Sequence, residues 1–357
     1  MSEYMRRAIA LAWQGWGRVA PNPMVGCVIV RDGVVVGEGW HTGYGLPHAE
    51  VEALRAAGER ARGATAFVSL EPCSHTGKTP PCTEALISAG VSRVVFGASD
   101  PNPKARGGGE VLREAGVEVE SGIEEQAVRD QNAAFFHAHS VESASRPFVA
   151  LKLAMSLDAR IADAEGRSVW ITGEGARGEV HRLRAGFDAV AVGVGTAVAD
   201  DPLLTVRGPV VPRVAPARVV FDRRLRLPLA SRLAASARET PVVAVAEPDA
   251  PADARRALES AGVRVVAAAG LEAQLRALRD AGIASILVEG GSVLAGALLA
   301  AGLVDRMYLF YAPLLIGPGG ASPFAGIADV GLPDAARWRR VESRGIGADT
   351  LVTLAKA

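Results

Sequence analysis

His48-Ala49-Glu50, then Leu70-Glu71-Pro72-Cys73-Ser74-His75, then after eight intervening residues Pro81-Cys82, is the stretch from which the first half of this chain is read. It supplies one imidazole and two thiols. Three such ligands leave a tetrahedral zinc one open position for water, whereas a structural site fills all four with protein atoms. The metal acidifies a water held there, and Glu50, two residues after His48 at a helix start, is free to take a proton from it and deliver one later. His48 and Cys82 each fall where a helix begins, so two helix dipoles favour thiolate over thiol at one place. Taken singly, His48 reads as a helix cap, Glu50 as a solvated charge and the cysteines as small buried hydrophobes. In this order, each cysteine with its neighbouring proline, they read as metal ligands His48, Cys73 and Cys82 with Glu50 as acid and base. Cys27, inside an apolar strand, reads as packing.

Outward from that motif, residues 4–14 form an amphipathic stretch and 25–30 an apolar run. Asp32-Gly33 separates that run from 34–36, which predicts a two-residue hairpin. Helix is expected over 48–61, strand over 64–70, helix over 83–89 and strand over 92–97, an alternation that implies a sheet flanked by helices. Around 137–147 the pattern lapses and ends in Arg146-Pro147, where proline disfavours continued helix. The boundary is placed there, with domains 1–145 and 146–357. A second α/β series then runs through 148–153, 189–194, 218–222, 242–246, 263–267 and 286–289. Segments 306–316, 337–342 and 350–354 look like strands joined without long helices, hence an antiparallel tail.

The chain has 357 residues, long for one domain and ordinary for two. Its 39 basic and 39 acidic side chains cancel, so no global field favours a polyanion, and a small substrate rather than nucleic acid is expected. Charges interrupt the apolar start of the chain, which excludes a signal peptide or membrane span there and points to the cytoplasm. Three cysteines without a secretion signal argue against a disulfide framework.

The second half has no strand followed by Gly-x-Gly-x-x-Gly, so a Rossmann dinucleotide site has no support. It offers Gly193-Val194-Gly195-Thr196, a glycine pair suited equally to approaching a ligand or to a tight turn. Asp200-Asp201-Pro202 and Leu204-Thr205-Val206-Arg207 follow closely. Ile286-Leu287-Val288-Glu289-Gly290-Gly291-Ser292 is a strand ending in glycines before the apolar helix 293–301. Such a helix start cradles a phosphate or serves as an ordinary strand-helix loop.

With Pro21-Asn22-Pro23-Met24-Val25-Gly26 and the long loop Ser74-His75-Thr76-Gly77-Lys78-Thr79-Pro80-Pro81, the zinc motif departs from the Pro-Cys-x-x-Cys of most nucleobase deaminases. It closely resembles the bifunctional riboflavin-biosynthesis deaminase/reductase family. Leu151-Lys152-Leu153-Ala154, Ser156-Leu157-Asp158, Ser168-Val169-Trp170-Ile171-Thr172 and Leu183-Arg184-Ala185 resemble the same family, so the likeness covers nearly the whole chain. The resemblance implies an α/β protein whose N-terminal domain is a cytidine-deaminase-like α/β/α layered zinc deaminase. Its C-terminal domain is implied to be a dihydrofolate-reductase-like α/β reductase using NADPH. The substrate would be a diaminopyrimidinone carrying ribosylamino 5′-phosphate; its ring amine is hydrolysed to a carbonyl with release of ammonia. Reduction of the ribosyl to a ribityl chain then gives 5-amino-6-ribitylaminouracil 5′-phosphate. By the same match Asn22, His75 and Lys78 contact that substrate, although Lys78 alone would pass for a solvated lysine.

In the second domain the match implies a cofactor lined by Ala154, Trp170, Thr172, Thr196, Asp200, Gly291 and Ser292. Ser168, Arg184, Leu204, Arg207 and Glu289 would face the substrate. Hydride delivery to the sugar's C1 also needs orienting groups and a proton source. Lys152, Asp200 and Glu289 are the candidates, their roles undivided by sequence. Arg184 and Arg207 are suited to a phosphate through their fork of donors. Two departures stand out: Ala159-Arg160 follow Asp158 where the family commonly has Gly-Arg, and Arg223 follows Asp222 where a serine often helps bind cofactor. Arg223 is a candidate for the 2′-phosphate. A homo-oligomer, dimer or tetramer, is expected. The competing readings are a deaminase of a different target, such as free nucleobase or RNA, and a non-catalytic zinc-stabilised module. The latter would need a fourth protein ligand, for which His41 is the main spare histidine nearby.

Overall fold

The computed structural model describes residues 1–357 except 168–170, 330 and 333–334, and the chain divides into two compact units, Met1–Val141 and Glu142–Ala357. In the first, α1 (Ser2–Ala12) precedes β1 (Gly26–Arg31), β2 (Val34–Trp40), α2 (Ala49–Ala57), β3 (Thr65–Leu70), α3 (Cys82–Ser88) and β4 (Arg93–Ala98). Then come α4 (Gly108–Glu114), β5 (Glu118–Ser121), α5 (Glu125–Gln131) and α6 (Ala133–Ala138). The sheet order is β2-β1-β3-β4-β5, with β1 antiparallel to β2 and β3 and the remaining pairs parallel. Arg31 pairs with Val34 across the hairpin at Asp32-Gly33. The apolar run in β1 is explained by burial on both faces. Cys27 and Ile29 pack under α2, α3 and α4 through Ala53, Leu86 and Leu112, whereas Val28 and Val30 pack under α1 through Met5 and Ala8. This is a three-layer α/β/α unit.

Helix α2 lies almost on the backbone of β2. A Cβ added at Gly39 would stand 2.4 Å from the Ala53 amide and 2.5 Å from the Ala49 carbonyl, so only glycine allows this approach. The expected helix 48–61 ends as α-helix at Ala57, because Gly58 turns with φ of 58°, and continues as a 3-10 turn over Gly58–Ala61.

The second unit runs β6 (Phe148–Ser156), α7 (Glu174–Arg184), β7 (Ala189–Gly193), α8 (Val194–Asp200), β8 (Ala217–Phe221), α9 (Arg232–Ala235) and β9 (Val242–Ala246). It continues with α10 (Ala252–Ser260), β10 (Arg264–Ala267), α11 (Gly270–Asp280), β11 (Ser285–Glu289), α12 (Ser292–Ala300), β12 (Arg306–Ala312), β13 (Trp338–Ile346) and β14 (Asp349–Lys356). The nine-stranded order is β10-β9-β8-β7-β11-β6-β12-β14-β13. Strands β6 to β12 are parallel, and β14 is antiparallel to β12 and β13, as the tail pattern predicts. The expected strand 306–316 stops at Ala312, since Pro313 has no N–H to extend the ladder. One sheet face is covered by Leu275 and Leu278 of α11 with Ala295 and Leu298 of α12. The other lies under α8, α9 and α10 through Ala197, Leu233 and Leu258.

Candidate active sites

In the first unit the end of β3 delivers Cys73, the start of α3 delivers Cys82 and the N-cap of α2 delivers His48. His48 Nδ1 lies 3.3 Å from Cys82 Sγ and 3.6 Å from Cys73 Sγ, and the three donor atoms all fall within 4.8 Å of one another. The donor set fits zinc. His48 Nε2 stands 3.4 Å from the Thr79 hydroxyl, which fixes the ring so that Nδ1 turns its lone pair toward both sulfurs. The Cys82 amide donates to Cys73 Sγ at 3.4 Å. Cys73 is pushed down by the hydrogen bond from the Cys82 thiol, by His48 and by that amide. Cys82 is pushed up by the same hydrogen bond, by burial and by Glu50. The opposite directions follow from one sulfur donating to the other, and a metal ion held here would favour the thiolate form of both.

Glu50, in the first turn of α2, is 3% exposed, and burial with the nearby Cys73 pushes its carboxyl up to about 7. No fourth ligand joins the cluster among the described residues. His41 packs edge-on against His48 at 5.1 Å between ring centroids, but its Nδ1 faces the Pro47 carbonyl at 3.2 Å and its Nε2 faces Asn22 Nδ2 at 3.2 Å. With the proton on Nδ1, His41 accepts from the Asn22 amide and leaves Asn22 Oδ1 available. Cys27 lies in the sheet core.

Asn22, His41, His48, Glu50 and Cys73 line a cavity of about 230 Å³ that also takes in Tyr44, His75, Lys78, Asp100 and Asn102. His75 and Lys78 are exposed, and Lys78 Nζ sits 4.1 Å over the Tyr44 ring. Two anchoring residues escaped the sequence reading. Glu71, buried, accepts the amides of Asp100, Gly107 and Gly109, each at 3.1 Å, and so ties a second wall to the segment after β3 that carries Cys73. Asn132 accepts from the Met24 amide at 2.8 Å and donates to the Met24 carbonyl at 3.0 Å, which fixes the segment bearing Asn22. A charged side chain inside an apolar motif was the available signal for Glu71; nothing marked Asn132.

In the second unit Lys152 of β6 is registered directly opposite Glu289 of β11. Arg184, the last residue of α7, grips both Glu289 oxygens, Nε at 2.6 Å and Nη2 at 2.9 Å, and donates through Nη1 to the Thr205 carbonyl at 2.8 Å. Burial alone would raise Glu289, but Arg184 and Lys152 hold it below the usual carboxylate range. Burial and Arg184 push Lys152 down despite Glu289. Its ammonium lies 5.6 Å from the centre of the Phe310 ring. Gly290 and Gly291 follow with φ of 62° and 76°, and a Cβ at Gly291 would stand 2.9 Å from Thr196 Oγ1. The glycines therefore let the first turns of α8 and α12 meet, which brings Thr196, Gly291 and Ser292 together.

Several expectations change here. The fork of Arg184, expected to hold a phosphate, is already filled by Glu289 and Thr205, because a buried guanidinium demands such partners. Leu204, expected to face the substrate, is 3% exposed with φ of 53°, and its side chain packs in the core beneath α8 and α9. Its apolar side chain gains by burial; only its backbone is left to meet a ligand. Asp200 ends α8 exposed, and no recorded bond joins it to Lys152 or Glu289 among the described residues. Ala154 is half-buried on β6, opposite Phe310, and Thr172 is half-buried with its carbonyl accepting from Arg177 at 2.9 Å. Arg207 is exposed. Ser168 and Trp170 lie outside the described residues. Ala159 stands at φ of 55°, a backbone state that suits the glycine common at that place. Arg223 is exposed beside Asp222, which is fully buried and accepts the Leu227 amide at 2.8 Å.

Residues 1–98 match the family described as the cytidine and deoxycytidylate deaminase zinc-binding region, and residues 147–352 match the RibD C-terminal domain. The riboflavin biosynthesis protein RibD of Actinobacillus pleuropneumoniae is 41% identical over 98% of this chain and 94% of its own length. Among solved structures, Acinetobacter baumannii RibD superimposes with a TM-score of 0.81 at 40% identity, covering 100% of this chain and 98% of that one. A Thermotoga maritima diaminohydroxyphosphoribosylaminopyrimidine deaminase/5-amino-6-(5-phosphoribosylamino)uracil reductase superimposes with a TM-score of 0.82 at 36% identity, with the same coverage.

Proposed function

The chain belongs to the RibD family and is a bifunctional riboflavin-biosynthesis enzyme with a zinc-binding deaminase domain and a reductase domain that uses a nicotinamide cofactor; from that premise we propose its substrate, its cofactor and the residue roles. The first unit hydrolyses the ring amine of 2,5-diamino-6-ribosylamino-4(3H)-pyrimidinone 5′-phosphate. The second reduces the ribosyl group of the deaminated product with NADPH. The observation that carries the first assignment is the three-donor cluster of His48, Cys73 and Cys82 beside the buried Glu50.

Zinc, when bound, supplies Lewis-acid activation of water. Glu50 takes the proton of that water and returns it to the departing amine, so that water and amine become carbonyl and ammonia. Asn22, whose Nδ2 donates to His41, accepts from the pyrimidine through its Oδ1, while His75 and Lys78 at the cavity mouth meet the phosphate.

In the reductase, NADPH supplies the hydride to the sugar's C1. Lys152 is assigned the proton for the reduced centre, since burial and Arg184 lower its basicity and both Glu289 oxygens are engaged by Arg184. Arg207 meets the substrate phosphate, and Thr196, Gly291 and Ser292 hold the cofactor at the start of α12. Exposed Arg223 suits the 2′-phosphate that distinguishes NADPH. Exposed Leu157, Leu314 and Leu315 support a homo-oligomer, dimer or tetramer, and the cytoplasm is the location we propose for it. No helix among the described residues is long and apolar enough to cross a membrane.

The test is a split assay. Glu50→Ala should release no ammonia from the diaminopyrimidinone phosphate while oxidising NADPH normally on the deaminated compound. Normal deamination by that variant would remove the proton-transfer role from Glu50.

A further inference from the structure

The loop at residues 204–207 is anchored at three points. Leu204 is buried in the core. The Thr205 carbonyl accepts from Arg184 Nη1 at 2.8 Å. The Arg207 amide donates to His181 Nδ1 at 3.1 Å. His181 and Arg184 are three residues apart on α7 and so share one face of the helix. The second and third anchors are therefore one device, a helix face gripping a carbonyl and an amide two residues apart. Arg184 is in turn fixed by Glu289. His181 is half-buried and has no part in the chemistry assigned above.

We propose that His181 is a positioning residue of the reductase, whose Nδ1 holds the substrate-facing loop through the Arg207 amide. The proposal rests on the reading of Arg207 as a substrate contact. An imidazole accepts through Nδ1 only when that nitrogen carries no proton, so protonation exchanges the acceptor for a donor and releases the amide. The surroundings guard against this. Burial, Arg184 and Arg207 push His181 below its ordinary 6.5, and only Glu289 and the Thr205 carbonyl act the other way. A depressed value means the clamp is intact above the ordinary imidazole range and opens as pH falls through the lowered one.

The full-length protein with its metal is assayed on the deaminated aminouracil phosphate, and dissociation of that compound is also measured without NADPH. His181→Leu, which keeps volume but loses the acceptor, should weaken binding and raise KM about fivefold, with kcat within about twofold. His181→Asn, whose Oδ1 replaces Nδ1, should restore wild-type affinity and lose less of it than wild type as pH falls through the lowered His181 value, the loss common to both being protonation of the substrate phosphate. Unchanged affinity in His181→Leu, or a His181→Asn profile that falls with acid as wild type does, overturns the clamp. Arg207→Ala separates the two ideas: unchanged affinity there refutes the phosphate role of Arg207. Weakened affinity there beside wild-type affinity in His181→Leu refutes the clamp alone.

Discussion

The two reactive centres are built in opposite ways. His48, Cys73 and Cys82 come from residues 48–82, each at or near the start or end of a local element, and together they turn three donor atoms toward one point. Lys152, Arg184 and Glu289 come from β6, α7 and β11, where two cations share one carboxylate and the Arg184–Glu289 ion pair is closed by protein alone. A site of the first kind is ready to take a metal but incomplete alone. One of the second kind is complete as an ion-pair network and needs its substrate only to complete the chemistry. Local spacing therefore betrays the first, whereas the second exists only once distant strands have paired.

The sharpest way to break the contrast is to remove the cation from one side. Chelation, or Cys73→Ser, should cut ammonia release by about a thousandfold or more, since the water loses its activation. NADPH oxidation on deaminated substrate should stay within about twofold, and parallel loss of both activities would show that the centres are not independent. Next comes the proton source: Lys152→Met should lower reductase kcat about a hundredfold and leave ammonia release unchanged. A fall of less than threefold would transfer that role to another group.

The ion pair of the second centre is probed by Glu289→Gln, which leaves Arg184 and Lys152 uncompensated and should destabilise the second unit by about 3 kcal/mol in denaturant titration. Its pH dependence has a definite sign. Arg184 lowers Glu289 from its ordinary 4.5, so the ionised form's contribution is present above that value and lost as pH falls through the depressed one. The variant should lack that acid limb. The smallest effect expected is from Ala159→Gly, which relieves a positive φ and should raise stability by about 0.5–1 kcal/mol. No gain in melting temperature would mean that the alanine is accommodated without strain.

Much of this was legible in the chain. The apolar run of β1 and its hairpin are written in neighbouring residues, and the order His48, Cys73, Cys82 anticipates the convergence of three donor atoms. What was hidden depends on a partner far along the chain. Arg184 reads as a free fork until β11 presents Glu289, and Leu204 reads as a ligand contact until φ of 53° turns its side chain into the core. The early ends of α2 and β12 are local effects of Gly58 and Pro313 that a run of suitable neighbours conceals. Glu71 lay inside the quoted motif, but only the folded loop shows that its carboxylate gathers three amides.

The paired bonds between Asn132 and Met24 imitate one rung of a β-ladder with a side chain in place of a strand. A fragment cut from this chain to carry deamination alone must therefore extend through α5 and past Asn132, well beyond the last zinc ligand. Ended sooner, it would retain every metal donor yet leave the segment that presents Asn22 untethered, binding its ion while misaligning its pyrimidine.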